Sequence, residues 1–323
     1  MLETAFTRLV GCDVPIQLAG MGSILSPELA AAVSNAGALG QITFSPGTDL
    51  DHAKPRLEKL GSLTTKPFGV NLLIPDLNRE VLALAAGKAK VVDFFWGDPD
   101  PELVKFVHDA GALASWQVGS VAEAVAAEKA GCDFIIAQGN EAGGHIRGNL
   151  AMLPLLAQVL DKVSVPVLGA GGIGSGRSMA GVLAAGGAGV RMGTRFIAAQ
   201  ESNAHPDYVR ALISAQAEDS VRTNRFEVEC PLCPSTHGVL RSALDAAEAF
   251  DGSYVAEFEG EPVAKFRGIP PYKGFTGNIG AMACYAGQSV GEVRGVQPAA
   301  EIVAELVGQA EQLLKGTATA TPH

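Results

Sequence analysis

VPVLGAGGIG, residues 165–174, decides the fold together with GVRMGTRF, residues 189–196. In each stretch an apolar strand runs directly into a glycine turn. GAGGIG matches the dinucleotide-binding pattern G-x-G-x-x-G, but no carboxylate lies between Asp161 and Glu201 to bind a ribose. Two such turns in succession are instead typical of the seventh and eighth strands of a (β/α)8 barrel, where backbone N–H groups bind phosphate.

The rest of the first 200 residues repeats the same unit. Short apolar runs alternate with helical patterns at a spacing of roughly 25 residues, which is typical of βα units. Several predicted helices end in Ala-Gly, and glycine at that position is the usual left-handed cap. The eight predicted strands cover residues 15–19, 38–43, 68–73, 91–95, 113–117, 134–138, 166–170 and 189–193. This pattern predicts an α/β fold, a (β/α)8 TIM barrel over residues 1–200.

Beyond residue 200 the regular alternation of short apolar runs and helical patterns ends. Helical patterns alternate with stretches rich in Pro, Gly and Lys that have little periodicity. We predict a smaller, mostly helical appendage at residues 201–295 that covers the substrate end of the barrel. Apolar residues at helical spacing predict a C-terminal helix within residues 296–315 that packs on the barrel. The small, polar residues 316–323 are predicted to form a disordered tail.

The bulk composition excludes several classes of protein. A net charge of −10 without a block of Lys or Arg argues against a nucleic-acid or anionic-membrane surface. No charged-then-apolar leader opens the chain and no apolar run approaches a membrane span, so we predict a cytoplasmic protein. The five cysteines are odd in number and widely scattered, which does not suggest a disulfide framework.

QGNEAGGHIRG, residues 138–148, holds the candidate catalytic residue. An amide, a carboxylate, a glycine pair, an imidazole and a guanidinium follow a predicted buried strand, and core packing does not require them. The glycine pair lets the backbone approach a planar ligand, and the loop aims the His145 imidazole. Histidine is suited to take a proton from a carbon acid because its unperturbed pKa lies nearest neutrality. Arg147 either holds an anionic substrate or fixes the loop.

Cys230 and Cys233, with His237 close behind them, have the chemistry of metal ligands. A structural zinc ion needs a fourth ligand and usually a second ligand pair, and the sequence offers none at a suitable spacing. We therefore predict no metal site. We interpret this segment as a loop over the active site that carries two free thiols.

Several motifs together carry a family resemblance. They are PIQLAGM (15–21), FGVN (68–71), QG-x-EAGGH (138–145), GAGGIG (169–174), MGTRF (192–196) and AGQ (286–288). With them the chain resembles the nitronate monooxygenase family, formerly 2-nitropropane dioxygenases. That family includes flavin-type enoyl-acyl-carrier-protein reductases and NADH:quinone reductases. The resemblance spans nearly the whole chain and implies a TIM barrel that binds FMN without covalent attachment.

The resemblance also implies a role for each matching residue. Under the isoalloxazine ring would lie Ala19, Gly20 and Met21. The polar edge of the ring or the ribityl chain would be bound by Asn71, Gln117 and Gln138, with backbone contacts from Gly144. The phosphate would be held by Gly171, Gly172, Gly193 and Thr194. His145 would face the flavin N5 as base or proton donor. At Gln117 this chain departs from some quinone-reductase relatives, which have lysine there.

The expected function is FMN-dependent oxidation of alkyl nitronates with O2, with His145 as the base. An NAD(P)H-dependent reductase of quinones or enoyl thioesters would use the same flavin site and is the alternative. A non-catalytic flavin-binding protein is disfavoured, because a purely structural loop gives His145 little reason to be there. A flavin-free aldolase or isomerase would need a catalytic Lys or a carboxylate pair, whereas the predicted strand ends offer mainly Gln, Asn and Gly. The expected partners are small molecules, and a homodimer is compatible with this interpretation.

Overall fold

The computed structural model describes residues 2–318, and eight parallel strands form its central sheet. The strands are β1 (Ile16–Leu18), β2 (Gly40–Phe44), β3 (Phe68–Leu73), β4 (Val91–Phe95), β5 (Leu113–Val118), β6 (Phe134–Gln138), β8 (Val167–Ala170) and β9 (Gly189–Met192). A further short strand, β7 (Gly144–Ile146), lies between β6 and β8 in the chain but outside this sheet. The runs of Val, Ile, Leu and Phe suit strands that are covered on both faces.

The sheet closes into a barrel. Hydrogen-bonded neighbours follow the order β1-β9-β8-β6-β5-β4-β3-β2. The two outer strands of that order meet through a parallel bridge between Gln17 and Leu39. The predicted TIM barrel is therefore confirmed, and each predicted strand boundary lies within two residues of the observed one.

Helices alternate with the strands and cover the outside of the barrel. They are α2 (Pro27–Asn35), α3 (Leu50–Leu63), α4 (Arg79–Ala86), α5 (Pro101–Asp109), α6 (Val121–Ala130), α7 (Met152–Leu160) and α8 (Gly176–Ala184). Their ends follow local chemistry: the Ser26 and Ser120 side chains accept hydrogen bonds from N–H groups of the first turns of α2 and α6. Gly131 ends α6 in the left-handed conformation, as the Ala-Gly pattern predicts.

A short helix, α1 (Ala5–Val10), precedes β1 and closes the amino-terminal end of the barrel. Its Phe6 is fully buried and packs edge-on against Phe134, the first residue of β6, with ring centroids 5.2 Å apart. The opposite end, where the strands finish, is therefore the end at which the barrel opens to ligands.

The appendage contains more strand than we predicted. Two helices, α10 (Pro206–Ser214) and α11 (Arg241–Ala249), lie where helical periodicity indicated them, and a one-turn helix, α9 (Thr194–Ile197), precedes them. Five strands accompany them: β10 (Ser220–Thr223), β11 (Thr236–Leu240), β12 (Tyr254–Phe258), β13 (Glu261–Ala264) and β14 (Phe275–Gly277). These strands were not predicted because each is only three to five residues long and none shows a clear alternating pattern.

Strand β7 joins the two parts of the molecule. It pairs antiparallel with β11, which in turn pairs with β10. The register places His145 opposite His237 and Gly144 opposite Gly238. The predicted catalytic loop therefore ends in a strand that belongs to a sheet of the appendage.

The C-terminal helix α12 (Ala299–Ala318) packs on α8. The two helices approach closely at Gly176, where a Cβ atom would lie 2.5 Å from the carbonyl oxygen of Leu306. The helix includes residues 316–318, which we had placed in a disordered tail. The rest of that predicted tail, residues 319–323, lies outside the described residues.

Candidate functional site

A cavity of about 460 Å³ opens at the carboxyl ends of the barrel strands. It is lined by all twelve residues predicted to bind the cofactor or to act in catalysis: Ala19, Gly20, Met21, Asn71, Gln117, Gln138, Gly144, His145, Gly171, Gly172, Gly193 and Thr194. The appendage supplies the facing wall, with Leu232, Ile269 and Tyr285 among its residues. A wider surface groove between α3 and α4 contains none of these side chains. The strand ends thus bring together residues from across the barrel.

The turn after β1 lies tight against β3. A Cβ atom at Gly20 would collide with the amide of Asn71, so only glycine allows this approach. Asn71 is held in place because its Nδ2 donates to Asp93 Oδ2 at 2.7 Å and its Oδ1 accepts from Thr43 Oγ1 at 3.2 Å. The backbone of residues 19–21 and one fixed amide therefore form one side of the cavity.

A buried charged network lies beneath the cavity. Arg191 Nη2 is 2.7 Å from Asp93 Oδ1, and the two side chains are 2% and 0% exposed. Arg191 Nη1 donates to Gln117 Oε1 at 2.6 Å, and Ser115 donates to Asp93 at 2.9 Å. Asp93, Ser115 and Arg191 of this network were not predicted as site residues. A charged residue inside each of two otherwise apolar strands, VVDFF and GVRM, was the available signal.

The two glycine turns present backbone N–H groups to the cavity. Gly171 and Gly172 have φ angles of +101° and +67°, which favour glycine. Within residues 2–318, the N–H groups of Gly171, Gly172, Gly193 and Thr194 donate no hydrogen bond. Thr194 is buried and the three glycines are partly buried, and all four residues line the cavity. Several free N–H groups close together are what an anion such as phosphate requires.

The loop between β6 and β7 is fixed at both ends. Gln138 Nε2 donates to the His145 carbonyl at 3.0 Å, and Gln138 Oε1 accepts from the Arg147 N–H at 3.0 Å. The Arg147 guanidinium forms ion pairs with Glu123 at 2.8 Å and Asp98 at 3.2 Å. These contacts favour a role for Arg147 in fixing the loop over a role in holding an anionic substrate.

His145 lies in the cavity wall among aromatic rings. Its ring centroid is 4.5 Å from that of His237 and 5.6 Å from that of Trp96. Burial, and to a smaller extent the neighbouring His237, lowers the pKa of His145 to about 3. The imidazole is therefore neutral at physiological pH.

The cysteines correct one expectation. Cys230 and Cys233 are joined by a disulfide, so the prediction of two free thiols is wrong for this form of the protein. Their Cα atoms lie 5.4 Å apart, within the range that a disulfide requires, because the two residues between them form a tight turn. Cys230 Sγ also lies 3.3 Å from His145 Nε2. These two residues are 85 positions apart, and their contact was not predicted.

No helix within residues 2–318 combines the length and the apolar character needed to cross a bilayer. The model of the family described as nitronate monooxygenase matches residues 3–79 and 76–309. A probable nitronate monooxygenase of Staphylococcus aureus is 32% identical over 272 residues, covering 69% of this chain and 76% of the relative.

Two other relatives carry different names. The (3aS,4S,5R,7aS)-5-hydroxy-7a-methyl-1-oxo-octahydro-1H-indene-4-carboxyl-CoA dehydrogenase of Rhodococcus jostii is 39% identical over 211 residues. That match covers 65% of this chain and 59% of the relative's length. The solved structure of FabK from Thermotoga maritima superposes with a TM-score of 0.83 at 29% identity, covering 99% of this chain and all of FabK. The chain is an oxidoreductase-like TIM barrel that belongs to the nitronate monooxygenase family.

Proposed function

We propose that the protein is an FMN-dependent monooxygenase that oxidises alkyl nitronates with O2. The observation that carries the proposal is the pair of glycine turns with four unpaired N–H groups on the cavity that also holds His145. A barrel site of this kind suits a monophosphate. No Asp or Glu lies between Asp161 and Glu201, where a dinucleotide-binding fold would place its ribose-binding carboxylate, and this favours FMN over FAD or NAD as the resident cofactor.

Different groups of cavity residues suit the phosphate, the ring and the ribityl chain of FMN. Gly171, Gly172, Gly193 and Thr194 would hold the phosphate through their N–H groups. The close backbone at residues 19–21 would lie against the flat ring, because a side chain at Gly20 has no room there. Polar contacts to the ring edge or ribityl chain would come from Asn71, Gln117 and Gln138, with backbone contacts from Gly144.

FMN, when bound, supplies the electron transfer to oxygen. The chain then has to bind the substrate, exclude water and move one proton. His145 is the proposed base that takes the α-proton of a neutral nitroalkane, since its neutral ring reaches the cavity. Negative charge that develops on the substrate carbon stabilises the imidazolium that forms. A nitronate arrives without this proton, so its oxidation depends less on His145.

A second function is favoured by the comparisons. FabK superposes over its whole length, and the Rhodococcus relative is a CoA dehydrogenase by name. The name of the Rhodococcus relative indicates a CoA thioester substrate. The second function is therefore an NAD(P)H-dependent flavin reductase of enoyl thioesters, other activated alkenes or quinones. Such an enzyme would use the same cofactor contacts and differ in its electron donor.

Anaerobic mixing of the purified, flavin-loaded protein with one donor at a time separates the two functions. For a nitronate monooxygenase, we expect the flavin to be bleached by propionate 3-nitronate and to stay yellow with NADH or NADPH. Rapid bleaching by NADH or NADPH would reject the proposal in favour of the reductase. A protein that takes up no FMN at all would reject both functions.

A further inference from the structure

Four side chains with nitrogen or sulfur donors meet where the barrel joins the appendage: His145, Cys230, Cys233 and His237. Their donor atoms all lie within 4.8 Å of one another. The part of the chain that the structure describes holds no second group of three or more His, Cys, Asp or Glu arranged in this way. The fourth ligand that the sequence lacked near Cys230 and Cys233 is supplied by a distant loop.

The fold explains why these residues converge. The antiparallel pairing of β7 with β11 places His145 directly opposite His237, on the same face of the sheet. The Cys-x-x-Cys turn precedes β11 and folds back over that face. Two imidazoles from the sheet and two cysteine sulfurs from the turn thus meet at one place.

The distances suit tetrahedral coordination. His145 Nε2 lies 3.3 Å from Cys230 Sγ, and His237 Nε2 lies 3.6 Å from Cys233 Sγ. In a tetrahedral zinc site with ordinary bond lengths, a nitrogen and a sulfur ligand lie about 3.6 Å apart. The sulfurs, now bonded to each other, would have to separate to about 3.8 Å, which needs only side-chain rotation once the disulfide is reduced.

We propose that His145, Cys230, Cys233 and His237 bind one Zn²⁺ ion when the two cysteines are reduced. A set of two thiolates and two imidazoles in a tetrahedron is typical of zinc. With four protein ligands the site is closed, which is the arrangement of structural rather than catalytic zinc.

Zinc binding requires the disulfide to be reduced first. A thiol reductant first gives two electrons and two protons to the disulfide, so that two cysteine thiols form and the reductant becomes a disulfide. Zn²⁺ then binds two thiolates and two neutral imidazoles, and two protons leave to solvent. The disulfide form in this structure is the metal-free alternative, because a sulfur bonded to sulfur offers no thiolate.

Zinc uptake by the full-length, flavin-loaded protein tests the proposal directly. The protein is reduced with a phosphine, stripped with a chelator, desalted under nitrogen and titrated with ZnCl2. We expect one zinc ion per chain by elemental analysis. Co²⁺ in place of zinc should give thiolate charge-transfer bands and the intense visible bands of tetrahedral cobalt, recorded on the long-wavelength side of the flavin absorption.

Matched variants locate the site. Cys233→Ser and His237→Asn should each weaken zinc binding by at least ten-fold, whereas Cys132→Ser and His205→Asn should bind zinc like the wild type. Absence of stoichiometric zinc in the reduced wild type overturns the proposal, as does uptake that Cys233→Ser and His237→Asn leave unchanged.

A second measurement uses only the wild type, so it decides even where a variant fails to fold. Zinc should protect both Cys230 and Cys233 of the reduced protein from alkylation, as mapped by peptide mass spectrometry. Equal alkylation with and without zinc contradicts the site. None of these readouts involves turnover, so their outcome is separate from that of the proposed nitronate oxidation, in which His145 acts as the base only while it binds no metal.

Discussion

At the scale of single residues, His145 is positioned by packing. No carboxylate within residues 2–318 forms a hydrogen bond with its ring. Its orientation comes instead from the neighbouring rings of Trp96, His237 and Tyr285 and from the sulfur of Cys230. A neutral, sterically held imidazole without an acidic partner is a proton acceptor whose strength depends on the charge of the bound substrate.

His145→Asn should separate proton transfer from electron transfer. We expect the variant to keep FMN and to lose roughly 100- to 10,000-fold in kcat/KM for neutral nitroalkanes, the usual worth of a general base. Preformed nitronates should be affected far less, because they need no deprotonation. Steady-state oxygen consumption with both substrates measures the difference. Equal losses on the two substrates would instead give His145 a role in binding or in flavin position.

Gly172→Ala should weaken FMN binding. At a φ angle of +67° an alanine is strained, and its Cβ would lie 3.2 Å from Glu141 Cβ. Strain of about 1–2 kcal/mol should move the turn and its N–H group, which corresponds to roughly ten-fold weaker binding. Flavin fluorescence titration of the apoprotein gives the Kd.

Gly181→Ala is the matched control for that titration. Gly181 lies on an exposed face of α8, and a Cβ there meets open space. The control should bind FMN like the wild type. Unchanged affinity in Gly172→Ala as well would place the phosphate elsewhere.

The residues predicted from the sequence share one property. Gly171, Gly172 and His145 stand in short motifs where composition departs from what packing requires, so local sequence reveals them. The contact between His145 and Cys230 has no such signal, because the pairing of two distant strands creates it. Local motifs identified the cavity, whereas the four-ligand cluster required the tertiary structure.

At the scale of elements, strands β4 and β9 carry a buried ion pair across the barrel interior. Asp93 and Arg191 form an ion pair at 2.7 Å and also contact amide and hydroxyl groups from other strands. Removing one partner of such a pair leaves an uncompensated charge in a medium that solvates it poorly.

Asp93→Asn should therefore lower the free energy of unfolding by roughly 3–5 kcal/mol. Urea denaturation followed by circular dichroism measures the loss. Asp109→Asn removes an exposed partner of Lys105 and should leave stability nearly unchanged. If the two variants were equally stable, the Asp93–Arg191 pair would contribute no more than a surface contact.

The barrel strands were predictable because they are short, mostly apolar runs that recur at a spacing of roughly 25 residues between helical patterns. Strands of the appendage were not. In β10 and β13, half-exposed residues alternate irregularly over only four positions, and β13 contains a proline. These strands exist because β11 and β12 offer them edges, which is a tertiary cause that no local pattern displays.

At the scale of the whole molecule, the cavity lies between the barrel core and the separate apolar clusters of the appendage. A ligand that contacts both parts stabilises the assembled state. FMN at 100 times its Kd should add about 2.7 kcal/mol, which corresponds to a rise in melting temperature of roughly 5 °C.

Riboflavin provides the comparison because it lacks the phosphate. If the glycine turns hold that group, riboflavin at the same concentration should raise the melting temperature much less than FMN. Differential scanning fluorimetry in the absence of substrate records both shifts. Equal shifts would mean that the turns at Gly171 and Gly193 contribute nothing to cofactor binding.

The pairing of β7 with β11 also constrains how this protein can be recombined with its relatives. A chimera that exchanges only residues 201–295 would set a foreign strand edge against β7 and lose the register that places residue 145 opposite residue 237. Residues 138–148 and 220–240 should therefore come from the same parent protein in a chimera, although barrel strands lie between them in the sequence. Crossovers that keep this block intact should yield folded hybrids, and crossovers within it should not.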